Sequence, residues 1–150
     1  MPTTMEQVRK ALDPEEPDYA KAVKLGPDAL PHLAKLIGGK DAGLASKAAS
    51  LAGMIPGERA VAVVQKAANS KDARVRVAAA HSAQHLAPEA ASGILLGLVT
   101  DADVGVQKVA LRSVPRKATP ELRASVETVS KKKANPAIQE LSTQVLSRLR

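Results

Sequence analysis

Four polar residues, Asp41, Asp72, Asp103 and Asn135, follow one another at intervals of 31, 31 and 32 residues. Each sits in a stretch of similar design: GKDAGLASKAASL from Gly39, SKDARVRVAAAHS from Ser70, DADVGVQKVALRS from Asp101 and KANPAIQELSTQV from Lys133. A fixed period of this length, carried through four segments, confines the chain to a repeat array. Each unit leaves an apolar face that only a neighbouring unit can cover.

Within each unit the pattern predicts two helices. The units open on Pro, Gly or an acid, at Gly26-Pro27-Asp28, Pro56-Gly57-Glu58, Pro88-Glu89 and Pro120-Glu121. Proline suits the first helical turn, and an acid there complements the helix dipole. The first helices carry apolar residues at helical spacing: Leu30, Leu33, Leu36 and Ile37, then Val61, Val64, Ala67 and Ala68, then Ile94, Leu95, Leu98 and Val99, then Leu122, Val126 and Val129. The second helices start at the polar anchors, whose side chains are suited to N-capping. They bury Leu44, Ala48, Leu51 and Ile55 in the first unit and Val75, Ala79, Ser82 and Leu86 in the next. Val106, Ala110 and Ser113 follow in the third unit, and Ile138, Leu141, Val145 and Leu149 in the last. Pro115 is expected to end the third of these helices early or to kink it. Ahead of the array, the spacing of Thr3 and Glu6 fits a capping box for a short helix reaching Leu12, and Asp18 is placed to cap a second over Tyr19–Leu25. The expected fold is all-α: a single α-solenoid domain over residues 1–150, built of stacked antiparallel helix pairs. Its four units run over about 26–55, 56–86, 87–118 and 119–150, with a shorter N-terminal pair over 1–25.

Composition supports thin, closely packed layers. Tyr19 is the one aromatic residue, so the core must be made of Ala, Val, Leu and Ile. There is no cysteine, which removes disulfides, thiol nucleophiles and thiolate metal sites. The N-terminal residues form no apolar leader, and the longest apolar run, Ile94–Val99, is interrupted by Gly97 and is far too short to span a bilayer. These features lead to the expectation of a soluble, cytoplasmic protein with no membrane partner.

LPHLAKLI (30–37) resembles the L-P-x-L-x-x-L pattern of HEAT repeats, in particular the short repeats of phycobilisome-lyase-type proteins. DARVRVAAAHSAQHL (72–86) is similar to the D-x-x-V-R-x-x-A-x-x-A-L pattern of their second helix. The resemblance covers roughly Gly26 to Arg150. It implies a right-handed superhelix with one concave and one convex face. It also implies a protein-binding role, with two variants: a DNA-gripping basic face, and a bilin-lyase-like subunit that acts paired with another subunit. The family's Arg at position 76 is replaced by Ala45, Gln107 and Gln139 in the other units, so the resemblance implies at most a partial ladder of Asp–Arg pairs.

Net charge is +7, and Val104–Arg150 alone holds ten Lys/Arg against three acids, an excess equal to that of the whole chain. A one-sided basic end points to an acidic protein partner, with nucleic acid as the alternative. Placing the second helices in register brings Ser50/Met54, His81/His85, Arg112/Arg116 and Gln144/Arg148 into a polar stripe that turns basic along the array. The candidate partner-binding residues are therefore Arg76, His81, His85, Lys108, Arg112, Arg116 and Arg148, with Lys131, Lys132 and Lys133 in the last turn. His81 and His85 have the i, i+4 spacing of a metal pair, but no third ligand accompanies them in sequence. No nucleophile-elbow, phosphate-loop or dinucleotide motif is present, and nothing calls for a cofactor or a metal. The leading expectation is a non-catalytic interaction scaffold whose basic C-terminal half docks an acidic partner.

Overall fold

The computed structural model describes residues 2–150. Within them lie ten α-helices and no strand: α1 (Met5–Leu12), α2 (Tyr19–Ala22), α3 (Leu30–Ile37), α4 (Ala42–Met54), α5 (Glu58–Ala68), α6 (Ala73–Ser82), α7 (Pro88–Leu98), α8 (Val104–Ser113), α9 (Pro120–Lys131) and α10 (Pro136–Arg148). The anchors do what their spacing predicts. The side chains of Asp41, Asp72, Asp103 and Asn135 accept from the backbone N–H of Leu44, Arg74, Val106 and Ile138 at 2.8–3.2 Å. Each supplies a partner for a helix-end donor that would otherwise have none.

Prolines set where the helices end. The residue before a proline is driven out of the helical region. Ile55, Ala87, Val114 and Thr119 are accordingly extended, with ψ of 122°, 148°, 124° and 157°. Met54 therefore closes α4, and Ser113 closes α8 before Pro115. After α6 the chain tightens to a 3-10 turn over Ala83–His85, although the apolar spacing runs on to Leu86. At the N-terminus the capping box is formed one residue later than its spacing suggests, by Thr4 and Gln7. The second helix of that pair is α-helical for one turn and 3-10 over Val23–Leu25, until Gly26 stops it at φ 73°.

The helices form two layers. Helices α3, α5, α7 and α9 neighbour one another on one side, α4, α6, α8 and α10 on the other, and each unit's two helices pack across the gap. Helix α1 lies against α3 and α4 and closes the N-terminal end. A continuous core runs from Val8 to Val145. It contains Leu30, Leu33, Leu36 and Ile37 of α3, Ile94, Leu95 and Leu98 of α7 followed by Val99, and Leu122, Val126 and Val129 of α9. In α5 the buried set includes Val63, and Val61 is only half-buried. The architecture is thus the all-α solenoid that the period requires.

The even-numbered layer is the tighter one. Its contact surfaces are made of Ala48, Ala49, Ala52 and Gly53 on α4 and Ala78, Ala79 and Ser82 on α6. Small residues let helix backbones approach closely. A β-carbon at Gly53 would overlap the Ser82 hydroxyl and lie 2.8 Å from the Ser82 carbonyl oxygen. That hydroxyl is buried and donates to the Ala49 carbonyl at 2.9 Å, so the crossing is both close and polar-satisfied. A stack with unequal layer spacing bends towards its tighter layer, which places α4, α6, α8 and α10 on the inside of the curve.

Candidate functional site

The even helices all run the same way across the inner face, from capped N-terminal ends at one edge to C-terminal ends at the other. This direction sorts the candidate residues. Lys131, Lys132 and Lys133 lie where α9 turns into α10, at the edge of the N-terminal ends. Arg148 closes α10, about 19 Å further along at 1.5 Å per residue. The lysine run and Arg148 therefore lie at opposite edges.

Arg76 has a different job from the one its position in the stripe suggests. Its Nε and Nη2 donate to Asp101 Oδ2 and Oδ1 at 2.9 and 3.1 Å. Its Nη1 donates to the carbonyls of Ser70 and Lys71 at 3.0 and 3.1 Å. The pair is mostly buried, with side-chain exposures of 19% and 10%. Asp101 raises the Arg76 pKa above its usual value, ahead of the opposing effect of burial. With its fork committed to the turn of the next unit, Arg76 fastens α6 to that unit. Gln107, at the equivalent place in α8, donates back to the Val99 carbonyl at 2.9 Å, so the ladder of pairs has one rung here.

His81 and Arg112 occupy equivalent, exposed positions on the solvent sides of α6 and α8. Half-buried Val77, Lys108, Val109 and Leu141 lie on the same layer. Arg116 lies beyond the end of α8, in the connection opened by Pro115. Its carbonyl accepts from the Arg150 N–H at 3.0 Å, and Arg123 Nη2 donates to the Arg150 main-chain oxygen at 2.6 Å. These bonds draw Arg116, Arg123 and Arg150 together beside Arg148, at the edge where the last turn of α8 carries Arg112. Among the described residues the side-chain ion pairs are Arg74–Asp72 and Arg76–Asp101, so no Asp or Glu side chain pairs with this arginine corner. Glu121, in the first turn of α9, is an acid on the same edge. The contributions of Arg123 and Arg150 are hidden in the sequence, because Arg150 enters through its main-chain bond to Arg116 and Arg123 through its side chain on the Arg150 main-chain oxygen, contacts that join distant segments.

His85 lies further along the same edge, in a cleft of about 920 Å³. Met54, Ile55, Val61 and Leu86 supply its apolar surface, and Glu58 and Glu89 flank the histidine there. The predicted stripe therefore divides into two regions of the surface: an acid-flanked notch at His85 and an arginine corner at Arg112, Arg116 and Arg148. Among the described residues, no group of three or more His, Asp or Glu side chains is arranged to hold a metal ion. No helix among them is long and apolar enough to cross a membrane.

No family model matches the sequence, and no curated protein does. Among solved structures, the complex of CpcE and CpcF of phycocyanin lyase from Nostoc sp. PCC7120 contains a similar chain. The match spans 94% of this chain and 96% of that one, with a TM-score of 0.70 at 21% identity. The chain has a HEAT-repeat-type fold. This likeness overturns the expectation of a purely non-catalytic chain, since the neighbour of the same fold belongs to a lyase complex. The absence of local catalytic motifs does not decide the matter, because a solenoid can take part in an enzyme by holding a partner and needs no short motif of its own.

Proposed function

We propose that this HEAT-type chain is one subunit of a lyase-type complex, and that it holds a second protein through the arginine corner. The observation that carries the reading is the gathering of Arg112, Arg116, Arg123, Arg148 and Arg150 on one edge with no Asp or Glu side chain paired to them. Planar guanidinium forks suit the carboxylates of an acidic segment. Lys108 and His81 extend the basic surface along the inner face, and half-buried Val109 and Leu141 add apolar contact between the charges. Lys131, Lys132 and Lys133, at the far edge, would meet only a partner that crosses the whole face. Likeness to a chain from a complex of two named subunits supports a protein partner over a small ligand.

The test has two arms. The chain is mixed with CpcE and with CpcF, and complex formation is followed by light scattering. Chromophore transfer to a phycocyanin apoprotein is then followed by visible absorbance, with and without the second subunit. The expected result is a stable heteromeric complex, weakened roughly a hundredfold by R112E/R148E, each reversal costing about tenfold. Failure to associate with any HEAT-type subunit, together with log-linear, salt-sensitive binding to duplex DNA, would replace this reading with a nucleic-acid one.

A further inference from the structure

The cleft at His85 has the opposite character to the corner. It lies between two successive unit connections, Ile55–Gly57 and Leu86–Ala87, and the first turns of α5 and α7. Ile55 is buried and Leu86 and Val61 are half-buried, so part of their apolar surface lines the opening. Met54 adds a side chain that can reshape to fit. Three polar side chains converge on this surface: Glu58, His85 and Glu89. All three are exposed, and none makes a side-chain hydrogen bond or ion pair among the described residues. The helix dipoles of α5 and α7 account for an acid in each first turn. The 31-residue period brings the two acids to one apolar cleft, which gives it a negative rim where the last unit's edge is positive.

We infer that this cleft binds a segment of a partner protein that presents an aliphatic side chain flanked by Lys or Arg. The apolar surface takes the aliphatic group, and Glu58 and Glu89 take the cations on either side. The volume is in the range that a few side chains fill. The edge then reads charge in order, acidic at the second unit and basic at the last, so a partner with the reverse order docks in one direction only. The inference stands on the cleft alone and holds whether or not the chain belongs to a lyase complex.

The test is heteronuclear NMR on the whole chain, titrated with an end-blocked Lys-Leu-Leu-Lys peptide. Saturable shifts are expected at the Gly53, Gly57 and Leu86 amides, with none from a Glu-Leu-Leu-Glu peptide. E58Q/E89Q should weaken binding roughly tenfold, the loss of two exposed charge pairs, while E127Q/E140Q, the same charge change at two exposed acids outside the cleft, leaves it unchanged. Equal binding of both peptides, or shifts that map elsewhere, would overturn the inference. So would octylammonium binding as tightly as the peptide, since the cleft would then be a site for small organic cations.

Discussion

Arg76 reaches from the middle of α6 into the turn before α8, where Asp101 receives two of its N–H groups at 2.9 and 3.1 Å. Asp101 Oδ1 also accepts from the Asp103 N–H at 2.9 Å, so one carboxylate orders both the pair and the residue that caps α8. Arg76→Ala should cost about 2 kcal/mol in urea unfolding, since it deletes charged hydrogen bonds from a mostly buried site. Arg76→Lys should recover only a part of that, because an ammonium cannot reproduce the two-pronged geometry. Equal stability of wild type and Arg76→Ala would show that the pair is dispensable.

Gly53→Ala should destabilise the protein by about 1–3 kcal/mol, because the new methyl group meets Ser82 hydroxyl and backbone atoms across the α4–α6 crossing. Alanine normally improves a helix interior over glycine. Gly93→Ala and Gly97→Ala test this within the same fold. Both glycines are on α7 with no atom within 4 Å of an added β-carbon, so each change should stabilise by about 0.5–1 kcal/mol. Thermal melts of the three variants give opposite signs if the packing is as described.

Tyr19 gives a spectroscopic probe free of overlap, because it is the sole aromatic residue. Burial raises its pKa above the usual tyrosine value, and a hydrogen bond with Ser50 partly opposes this. A raised folded pKa means that the unfolded chain ionises first. The stability from neutral Tyr19 is full below the unfolded pKa, near 10, and is lost as pH rises through the folded value. Phenolate absorbance should therefore develop at higher pH in native protein than in urea. Tyr19→Phe should lose less stability than wild type over the same alkaline range.

Asp72 has the opposite sign. Its hydrogen bonds from the Arg74 side chain and backbone N–H lower its pKa. Its contribution is present above the unfolded aspartate value and fades as pH falls through the folded one. Asp72→Asn keeps a capping oxygen but removes the charge, so its acid melting curve should be flatter than that of wild type. High salt should shrink the difference, because Arg74 is 73% exposed.

The fold could be read from the sequence because its determinants are local and periodic. Asp41, Asp72, Asp103 and Asn135 act on backbone groups two or three residues away, and apolar residues at helical spacing show which face is inward. What stayed hidden depends on contacts between units. The Arg76–Asp101 pair spans 25 residues, Ser82 to Ala49 spans 33, and the Arg116–Arg150 backbone bond joins the last two units. Helical register places His81 and Arg112 at equivalent exposed positions. It joins His85 to the arginines because a register carries no information about the acids, Glu58 and Glu89, that neighbouring helices bring alongside.

The close crossing of Gly53 and Ser82 also gives the molecule a mechanical asymmetry. An α4–α6 contact already at backbone distance cannot be compressed further, so the inner layer acts as the stiff flange of a bent strip. A load that straightens or tightens the arc must be absorbed mainly by the outer helices, whose spacing is looser. Bending is then a one-sided compliance, and a guest seated on the inner face would feel a nearly rigid floor whose outer backing alone can give.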